Sequence, residues 1–441
     1  MSFDLNVVHA AQLAVIHDEG APRRGRHQGD LDLVPDGAVA IRGGRIAATG
    51  PTAEVLREAG GGVPTLDAAG LTVLPGLVEC HCHPIFAGNR HWEYVRRIQG
   101  ASSSAIRAEG GGIWSTVVAT REAEDDFLVR RAARAYGAIL AGGATTLEVK
   151  SGYGLTTAQE LRLLQLLRRS AAFTPIDLVY TFLGAHIAPQ DGPSPEDFAR
   201  SVADVMLPAV KEQGIAEFHD LTCEIGDFDP PQAAALMDIS RHMGMPTRVH
   251  ADASSHSFGW RTAVEGGAVS ADHLTYTPEE EIRDVGAAET IAVLLPLAEQ
   301  FYLDAAAANA RCFIEEKVPV AIATDYCSSF QATSLVLTIA MACSRFRLTP
   351  SEAIVAATLN AAYSLGRGAD RGSLDVGKRG DLTLLDCRHP NEIGLRIGAP
   401  LVRQVVSGGA VVFDARRGSS SRGPEETETS SFRCPSAFKC C

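Results

Sequence analysis

The sequence has little of what marks membrane, secreted and nucleic-acid-binding proteins. No stretch approaches 18 consecutive apolar residues, and the N-terminus carries acidic residues and histidines where a secretory signal has a basic start and an apolar run. Basic residues are outnumbered, with 40 Lys plus Arg against 53 Asp plus Glu, and the net charge of −13 disfavours phosphate backbones and anionic lipid surfaces. We therefore expect a cytoplasmic protein with no nucleic-acid or membrane partner.

Two further kinds of motif are missing. The ten Cys residues form no CxxC pair, so we expect reduced thiols and no disulfide scaffold. The GGGI run at residues 110–113 lacks the spacing and the preceding strand of a dinucleotide-binding loop. What remains is a chain of 441 residues with 46% apolar and 21% charged residues, a composition typical of globular proteins with a large core.

Short apolar runs alternate with segments of helical periodicity through most of the chain. Eight such runs predict one (β/α)8 TIM-like barrel, assigned to residues 75–368, rather than two doubly wound sheets. The runs are LTVLPGLVE, ATTLEVKS, DLVYTFLGAH, AEFHDLTCE, PTRVHAD, AVSADHL, TIAVLLP and VPVAIATD. Residues 1–74 and 369–416 have short strands separated by turns, which predicts one small discontinuous β-sandwich domain built from both ends of the chain. Residues 417–441, rich in Ser, Glu and Thr, are predicted to be a disordered tail.

Histidine and aspartate side chains stand at the ends of four of these runs. The first run is followed by His81 and His83, which point to the same side of an extended strand and can bind one ion together. His250 ends the fifth run, His273 the sixth and Asp325 the eighth. Because reactive groups in such barrels lie at the carboxyl ends of the strands, we expect these five side chains to meet.

Imidazoles and a carboxylate together suit Zn²⁺ or Fe²⁺, with an open coordination position for water. This donor set predicts metal-assisted hydrolysis. In that chemistry Asp325 would take a proton from water and pass it to the leaving nitrogen, while His273 would stabilise the developing oxyanion.

With these residues the chain resembles the amidohydrolase superfamily of metal-dependent hydrolases. The blocks EGGGIWSTV, TLEVKSGYGL, TFLGAHIAP, CEIGDF, ADHL and AVLLP make residues 70–385 similar to the imidazolonepropionase family, whose members open 4-imidazolone-5-propionate to N-formimino-L-glutamate in histidine degradation. The resemblance implies one divalent metal, Zn²⁺ or Fe²⁺, and a homodimer. The residues that it implies are the metal ligands His81, His83, His250 and Asp325, and the catalytic residues Asp325 and His273.

The same resemblance implies substrate contacts from Arg90, Tyr153 and His186. Arg90 is suited to a bidentate grip on a substrate carboxylate, and Tyr153 can donate a hydrogen bond. We therefore expect a small cyclic amide that bears a carboxylate. A second metal bridged by Lys150 is disfavoured, because a strand lysine next to Glu148 more simply makes an ion pair.

Three segments on the substrate side depart from the family pattern. The family's HADE after the fifth strand is HADA here, so Ala253 replaces a Glu that contacts the ring. The family's TDxNPGS is TDYCSSF here, with Cys327 and Ser329 in place of Asn and Gly, and LLPGT has become LLPLA. Losing the Glu would leave a ring N–H unpaired, at a cost of about 1–3 kcal/mol.

Three hypotheses therefore stay open at the level of sequence. The chain hydrolyses 4-imidazolone-5-propionate, or it is an amidohydrolase for a different cyclic amide or related ring, or it is a catalytically inactive relative that still binds metal. The unchanged metal positions favour an enzyme, and Ala253 with the rewritten segment after the eighth run favours lost or altered activity. The role of Glu224, in CEIGDF, is open between substrate contact and structure.

Overall fold

A computed structural model describes residues 4–60, 62–303 and 306–417 of the chain. In this part of the chain the strands are β1 (Leu5–Ala14), β2 (Leu33–Arg42), β3 (Arg45–Pro51), β4 (Thr65–Asp67), β5 (Thr72–Pro75), β6 (Leu77–Glu79), β7 (Ala144–Lys150), β8 (Asp177–Ala185), β9 (Phe218–Cys223), β10 (Thr247–Ala251), β11 (Ser270–His273), β12 (Ile291–Leu294), β13 (Val320–Ile322), β14 (Leu382–Leu385), β15 (Val402–Ser407) and β16 (Ala410–Asp414).

The α-helices of the same residues are α1 (Thr52–Ala59), α2 (His91–Ile98), α3 (Ser103–Ala108), α4 (Ile113–Glu122), α5 (Asp125–Ala141), α6 (Thr157–Ser170), α7 (Pro195–Ser201), α8 (Leu207–Gln213), α9 (Pro230–His242), α10 (Gly259–Glu265), α11 (Glu279–Val285), α12 (Pro296–Tyr302), α13 (Ala310–Glu315), α14 (Leu335–Phe346), α15 (Pro350–Ala356) and α16 (Leu359–Ser364). A π-helical segment, Val202–Met206, joins α7 to α8.

Strands β6 to β13 form a barrel in which each strand is parallel to the next along the chain. The ring closes beyond the ends of the first and last strands, where Cys82 and Tyr326 make a parallel bridge and His83 N–H donates to Tyr326 O at 2.8 Å. Helices connect the strands on the outside, as right-handed βα crossovers require. The predicted (β/α)8 barrel is therefore confirmed.

The remaining strands form a second sheet, the terminal sheet, in the order β16-β15-β14-β5-β1-β2-β3, with β4 paired to β1. Antiparallel pairing of β14 with β5 joins the two ends of the chain, with Leu384 opposite Val73. The predicted hairpin is present, because β2 and β3 pair up to Arg42 and Arg45, and Gly43 and Gly44 take positive φ values of 58° and 72° in the turn. The β-domain built from both chain ends is thus confirmed.

The first apolar run of the sequence, LTVLPGLVE, is divided between the two sheets rather than forming one barrel strand. Its first half is β5 of the terminal sheet, and its second half is β6 of the barrel. The break falls at Gly76, where an added Cβ would lie 2.2 Å from Thr145 Oγ1 and where the backbone N–H donates to Asp381 O. A residue without a side chain lets the chain change sheets at this tight approach.

Other expectations concern the division of the chain, its assembly and its location. The domain boundaries at residues 74, 368 and 416, the homodimer and the cytoplasmic location stay predictions. The predicted tail, 417–441, lies outside the described residues except for its first member. Among the helices of the described ranges, none has both the length and the apolar character needed to cross a membrane.

Candidate active site

The five residues predicted to meet do lie together at the carboxyl end of the barrel. His81 and His83 follow β6, His250 is in β10, His273 ends β11 and Asp325 follows β13. Two groups have ligand atoms within 4.8 Å of one another, and they share His81: the first is His81, His250 and His273, and the second is His81, His83 and Asp325.

The distances within the second group fit a common ion. The Nε2 atoms of His81 and His83 are 3.2 Å apart, and they lie 3.7 Å and 3.8 Å from Asp325 Oδ1. Two nitrogens bound tetrahedrally to Zn²⁺ are expected about 3.3 Å apart, given bonds of about 2.0–2.1 Å. The imidazole ring of His250 adds a further nitrogen close by, with its centroid 4.6 Å from that of His81.

Two buried aspartates orient the imidazoles. His81 Nδ1 lies 2.6 Å from Asp272 Oδ2, and His250 Nδ1 lies 3.1 Å from Asp220 Oδ1. An ionised carboxylate only accepts, so each Nδ1 carries the proton and each Nε2 presents a lone pair. These lone pairs and the Asp325 carboxylate converge as acceptors, an arrangement that a divalent cation satisfies. The residues present therefore fit the predicted metal.

The two aspartates contact a cluster of other buried charged side chains. Lys150 Nζ lies 2.5 Å from Asp220 Oδ2 and 2.8 Å from Glu148 Oε2, and Arg248 donates to Asp272 Oδ2 at 3.0 Å. Burial alone would lower the pKa of Lys150, but the Asp220 and Glu148 charges raise it. Lys150 is thus engaged in an ion pair, as expected, and holds its proton in this cluster.

Strain and burial both mark the two predicted catalytic residues. His273 and Asp325 have positive φ values of 82° and 54°, a region that non-glycine residues visit rarely and mostly where function requires it. Burial lowers the pKa of His273 to about 3, so its imidazole is neutral. Burial and then the Glu79 charge raise the pKa of Asp325 well above its usual range. A divalent cation in contact would lower the pKa of Asp325 again and would keep the His273 imidazole neutral.

Tyr153 and His186, two of the predicted substrate contacts, lie next to the metal-compatible cluster, which consists of His81, His83, His250, His273 and Asp325. The His186 ring stacks on His83 with centroids 5.5 Å apart, and Tyr153 lies 5.5 Å from His186 by the same measure. His186 Nδ1 is 3.0 Å from Gly152 O. Glu160, which the sequence pattern did not single out, fixes this loop by accepting from the backbone N–H groups of Gly152, Gly154 and Leu155.

Arg90 is buried and paired with an acid that sequence reasoning missed. Its Nε and Nη2 atoms each donate to Glu93 at 2.8 Å, and its Nη1 donates to Ser328 Oγ at 3.3 Å. Glu93 also accepts from Gly112 N–H, and an added Cβ at Gly111 would touch its carboxylate at 3.0 Å. The GGGI run therefore packs against the Arg90–Glu93 pair. One edge of the guanidinium stays directed away from Glu93.

The loop where the family has Glu is held by two other carboxylates. Glu224 accepts from the backbone N–H groups of Ala253 and Ser254 and from the Ser254 and Ser255 hydroxyls. Asp252 turns away from the cluster and accepts from Ser257, Gly259, Trp260 and Thr277. With this set of partners Glu224 acts as a clamp on the loop.

Aromatic rings line the outer side of the two other altered segments. Phe301 stacks on Tyr94 and on Phe330, with centroids 5.0 Å apart in both cases. Phe330 belongs to the TDYCSSF segment and stands where the family pattern has Ser. In the same segment Ser329 receives a hydrogen bond from Tyr302 at 3.2 Å, and burial raises the pKa of the Cys327 thiol to about 12. The segments that follow β12 and β13 are therefore in contact through Phe301, Tyr302, Ser329 and Phe330.

Comparison with known proteins agrees with this geometry. The amidohydrolase family model matches residues 72–413, and a model of the imidazolonepropionase-like composite domain of bacteria matches residues 37–59. The chain is 39% identical over 417 residues to the imidazolonepropionase of Geobacillus kaustophilus, covering 93% of this chain and 98% of that protein. It is 40% identical over 416 residues to that of Rubrobacter xylanophilus, covering 93% and 99%.

Solved structures show the same fold at low sequence identity. The chain superposes on E. coli guanine deaminase with a TM-score of 0.68 and 15% identity, covering 94% of this chain and 99% of that one. A zinc-bound adenosine deaminase from Xanthomonas campestris gives a TM-score of 0.67 and 18% identity, with 92% of each chain covered. Taken with the family models and the full-length relatives, these findings place the chain in the amidohydrolase family, within the imidazolonepropionase group of carbon–nitrogen hydrolases.

Proposed function

We propose that the chain hydrolyses the ring amide of 4-imidazolone-5-propionate to give N-formimino-L-glutamate. The observation that carries the proposal is a continuous path of contacts between the metal-compatible cluster and a buried guanidinium. The Tyr153 ring lies 6.1 Å from the His83 ring, the Tyr153 hydroxyl is 3.4 Å from Ser328 Oγ, and Ser328 is bonded to Arg90. A ring near the imidazoles with a short carboxylate arm toward Arg90 spans this path.

His81, His83, His250 and Asp325 would hold one divalent metal, Zn²⁺ or Fe²⁺. When bound, such a cation polarises a carbonyl group and lowers the pKa of water to about 7. Asp325 accepts the proton of the attacking water and returns it to the ring nitrogen that leaves. The neutral His273 donates its N–H to the oxygen on which negative charge develops. Arg90 and Tyr153 hold the propionate arm, which fixes the ring between these groups.

Hydrolysis of a different cyclic amide is the second candidate. It is favoured by Ala253, because the clamped Glu224 leaves the loop without the carboxylate that the family pattern supplies to the ring. A ring lacking the corresponding N–H would then bind without an unpaired donor. The carboxylate arm is common to both candidates, since Arg90 is kept.

The direct test is incubation of the metal-replete protein with freshly made 4-imidazolone-5-propionate. Loss of the ring chromophore together with appearance of N-formimino-L-glutamate is expected. Asp325→Asn, with its metal content measured, serves as the control for uncatalysed ring opening. An intact substrate after incubation with metal-replete protein would reject this substrate and favour the second candidate.

A further inference from the structure

We propose that Ser328 is a specificity-determining residue whose hydroxyl, together with Arg90, recognises the carboxylate arm of the substrate. The proposal rests on the proposed function for the existence of that arm. The family pattern places no hydroxyl here, because this position is the Pro of TDxNPGS. The inference thus concerns a feature of this chain.

Ser328 lies among the groups that face the arm. It is 4% exposed, and its Oγ accepts from Arg90 Nη1 at 3.3 Å and from Thr116 Oγ1 at 3.0 Å. It donates to the Tyr153 hydroxyl at 3.4 Å. One hydroxyl therefore links two predicted substrate contacts that come from separate strand ends.

The hydrogen bond that the Ser328 hydroxyl donates is long. Both acceptor positions of Ser328 are occupied by Arg90 and Thr116, whereas its proton points along a contact of 3.4 Å. Hydroxyl-to-oxygen hydrogen bonds are normally about 2.7–2.8 Å long. A carboxylate oxygen arriving beside Arg90 Nη1 offers this proton a shorter and charge-assisted bond.

Charge balance makes this hydroxyl important. Glu93 engages two of the guanidinium nitrogens of Arg90, and the pair is buried, with 7% and 4% of the side chains exposed. The pair is neutral as a unit, so Arg90 alone provides less attraction for an anion than a free guanidinium would. Nearby hydroxyl donors then decide how strongly an anionic arm is preferred over a neutral one of the same shape.

Ser329 provides a matched control on the same loop. Its hydroxyl accepts from Tyr302 at 3.2 Å, whereas the Ser328 hydroxyl accepts from Arg90. Ser329→Ala removes one hydroxyl from the same stretch of backbone. Ser328→Thr keeps the hydroxyl and tests whether the chemical group, rather than the residue, is needed.

The experiment compares two stable probes on the metal-replete protein: imidazole-4-propionate and its neutral amide. Binding is measured by calorimetry for the wild type, Ser328→Ala, Ser328→Thr and Ser329→Ala. We expect Ser328→Ala to weaken binding of the acid by about tenfold or more, and binding of the amide by less than about threefold. The other two variants should stay within about threefold of the wild type for both probes.

Kinetics with 4-imidazolone-5-propionate give the second readout. Ser328→Ala should raise KM with kcat within about twofold, because an arm contact acts mainly on binding. An equal loss for acid and amide, no loss for either, or no binding of the acid to the wild type would overturn the inference. If the wild type binds the acid through Ser328 yet opens no imidazolone, the proposed function fails and this inference stands.

Discussion

At the scale of single residues, the metal-compatible site depends on two aspartates that hold its imidazoles. Asp220→Asn exchanges an acceptor for an amide at His250 Nδ1 and removes the nearest partner of Lys150. We expect metal affinity to fall about 10- to 100-fold, as for other supporting carboxylates. Metal content after dialysis against a graded series of chelator concentrations measures this change.

Asp238→Asn is the control for that experiment, because Asp238 is exposed on α9 and pairs with Arg241. It should keep the metal affinity of the wild type. An Asp220→Asn protein that holds metal as tightly as the wild type would show that the carboxylate does not position His250.

A second residue-scale prediction concerns Ala253. Ala253 is half-buried on a loop at the carboxyl end of β10, so a longer side chain can be placed there without entering the core. Ala253→Glu restores the carboxylate of the family pattern and should raise kcat/KM for 4-imidazolone-5-propionate about tenfold, the value of one buried hydrogen bond to a charged group. Ala253→Gln, of equal size but neutral, should give a smaller gain. Equal or absent gains would contradict a role for the charge.

The ligand residues were predictable from sequence because strand ends in a barrel share one location. Four other residues of the site were not predictable from sequence, because their partners are distant along the chain or are set by loop conformation. They are Asp220, Asp272, Glu93 and Ser328. Asp272 also breaks the alternation rule. It directly precedes His273, yet both contact His81, and His273 has a positive φ of 82° at this strand end. Sequence alternation alone would place these two on opposite faces.

At the scale of elements, the loop that carries Tyr153 is held by the first turn of α6. Glu160→Gln replaces an acceptor by a donor that faces backbone N–H groups. We expect a loss of about 1–3 kcal/mol of unfolding free energy and a raised KM through a displaced Tyr153. Denaturant titration and steady-state kinetics measure the two effects.

Gln165→Glu, an exposed position on the same helix, is the control for charge and should change neither quantity. If Glu160→Gln unfolds at the wild-type denaturant concentration, the carboxylate is not what holds the loop.

The sequence indicates α6 clearly by its apolar periodicity. The hydrogen bonds from the loop before α6 to Glu160 in its first turn leave no such periodic signal.

At the scale of the whole molecule, the barrel and the terminal sheet share one core. Leu385 and Val405 of the terminal sheet pack in the same cluster as Leu147 and Val149 of the barrel. Thr383 Oγ1 also donates to Gly143 O at 2.7 Å. We therefore expect the two parts to unfold together.

Leu384→Ala tests this expectation, because Leu384 is fully buried within the terminal sheet. It should cost about 2–5 kcal/mol and lower the unfolding midpoint seen by tryptophan fluorescence. The three Trp residues, 92, 114 and 260, all lie in the barrel region. Val376→Ala, at a position 64% exposed, should change little. A wild-type fluorescence midpoint for Leu384→Ala would show that the parts unfold separately.

Pairing of β14 with β5 also has a consequence for how the chain is made. Strand β5 (Thr72–Pro75) leaves the ribosome early, but its partner β14 (Leu382–Leu385) follows roughly 300 residues later. At about 5–20 residues per second, β5 waits on the order of 15–60 s with one edge unpaired. The terminal sheet is therefore completed only near the end of translation, and a nascent chain stalled before β14 would expose that edge to chaperones and to other chains.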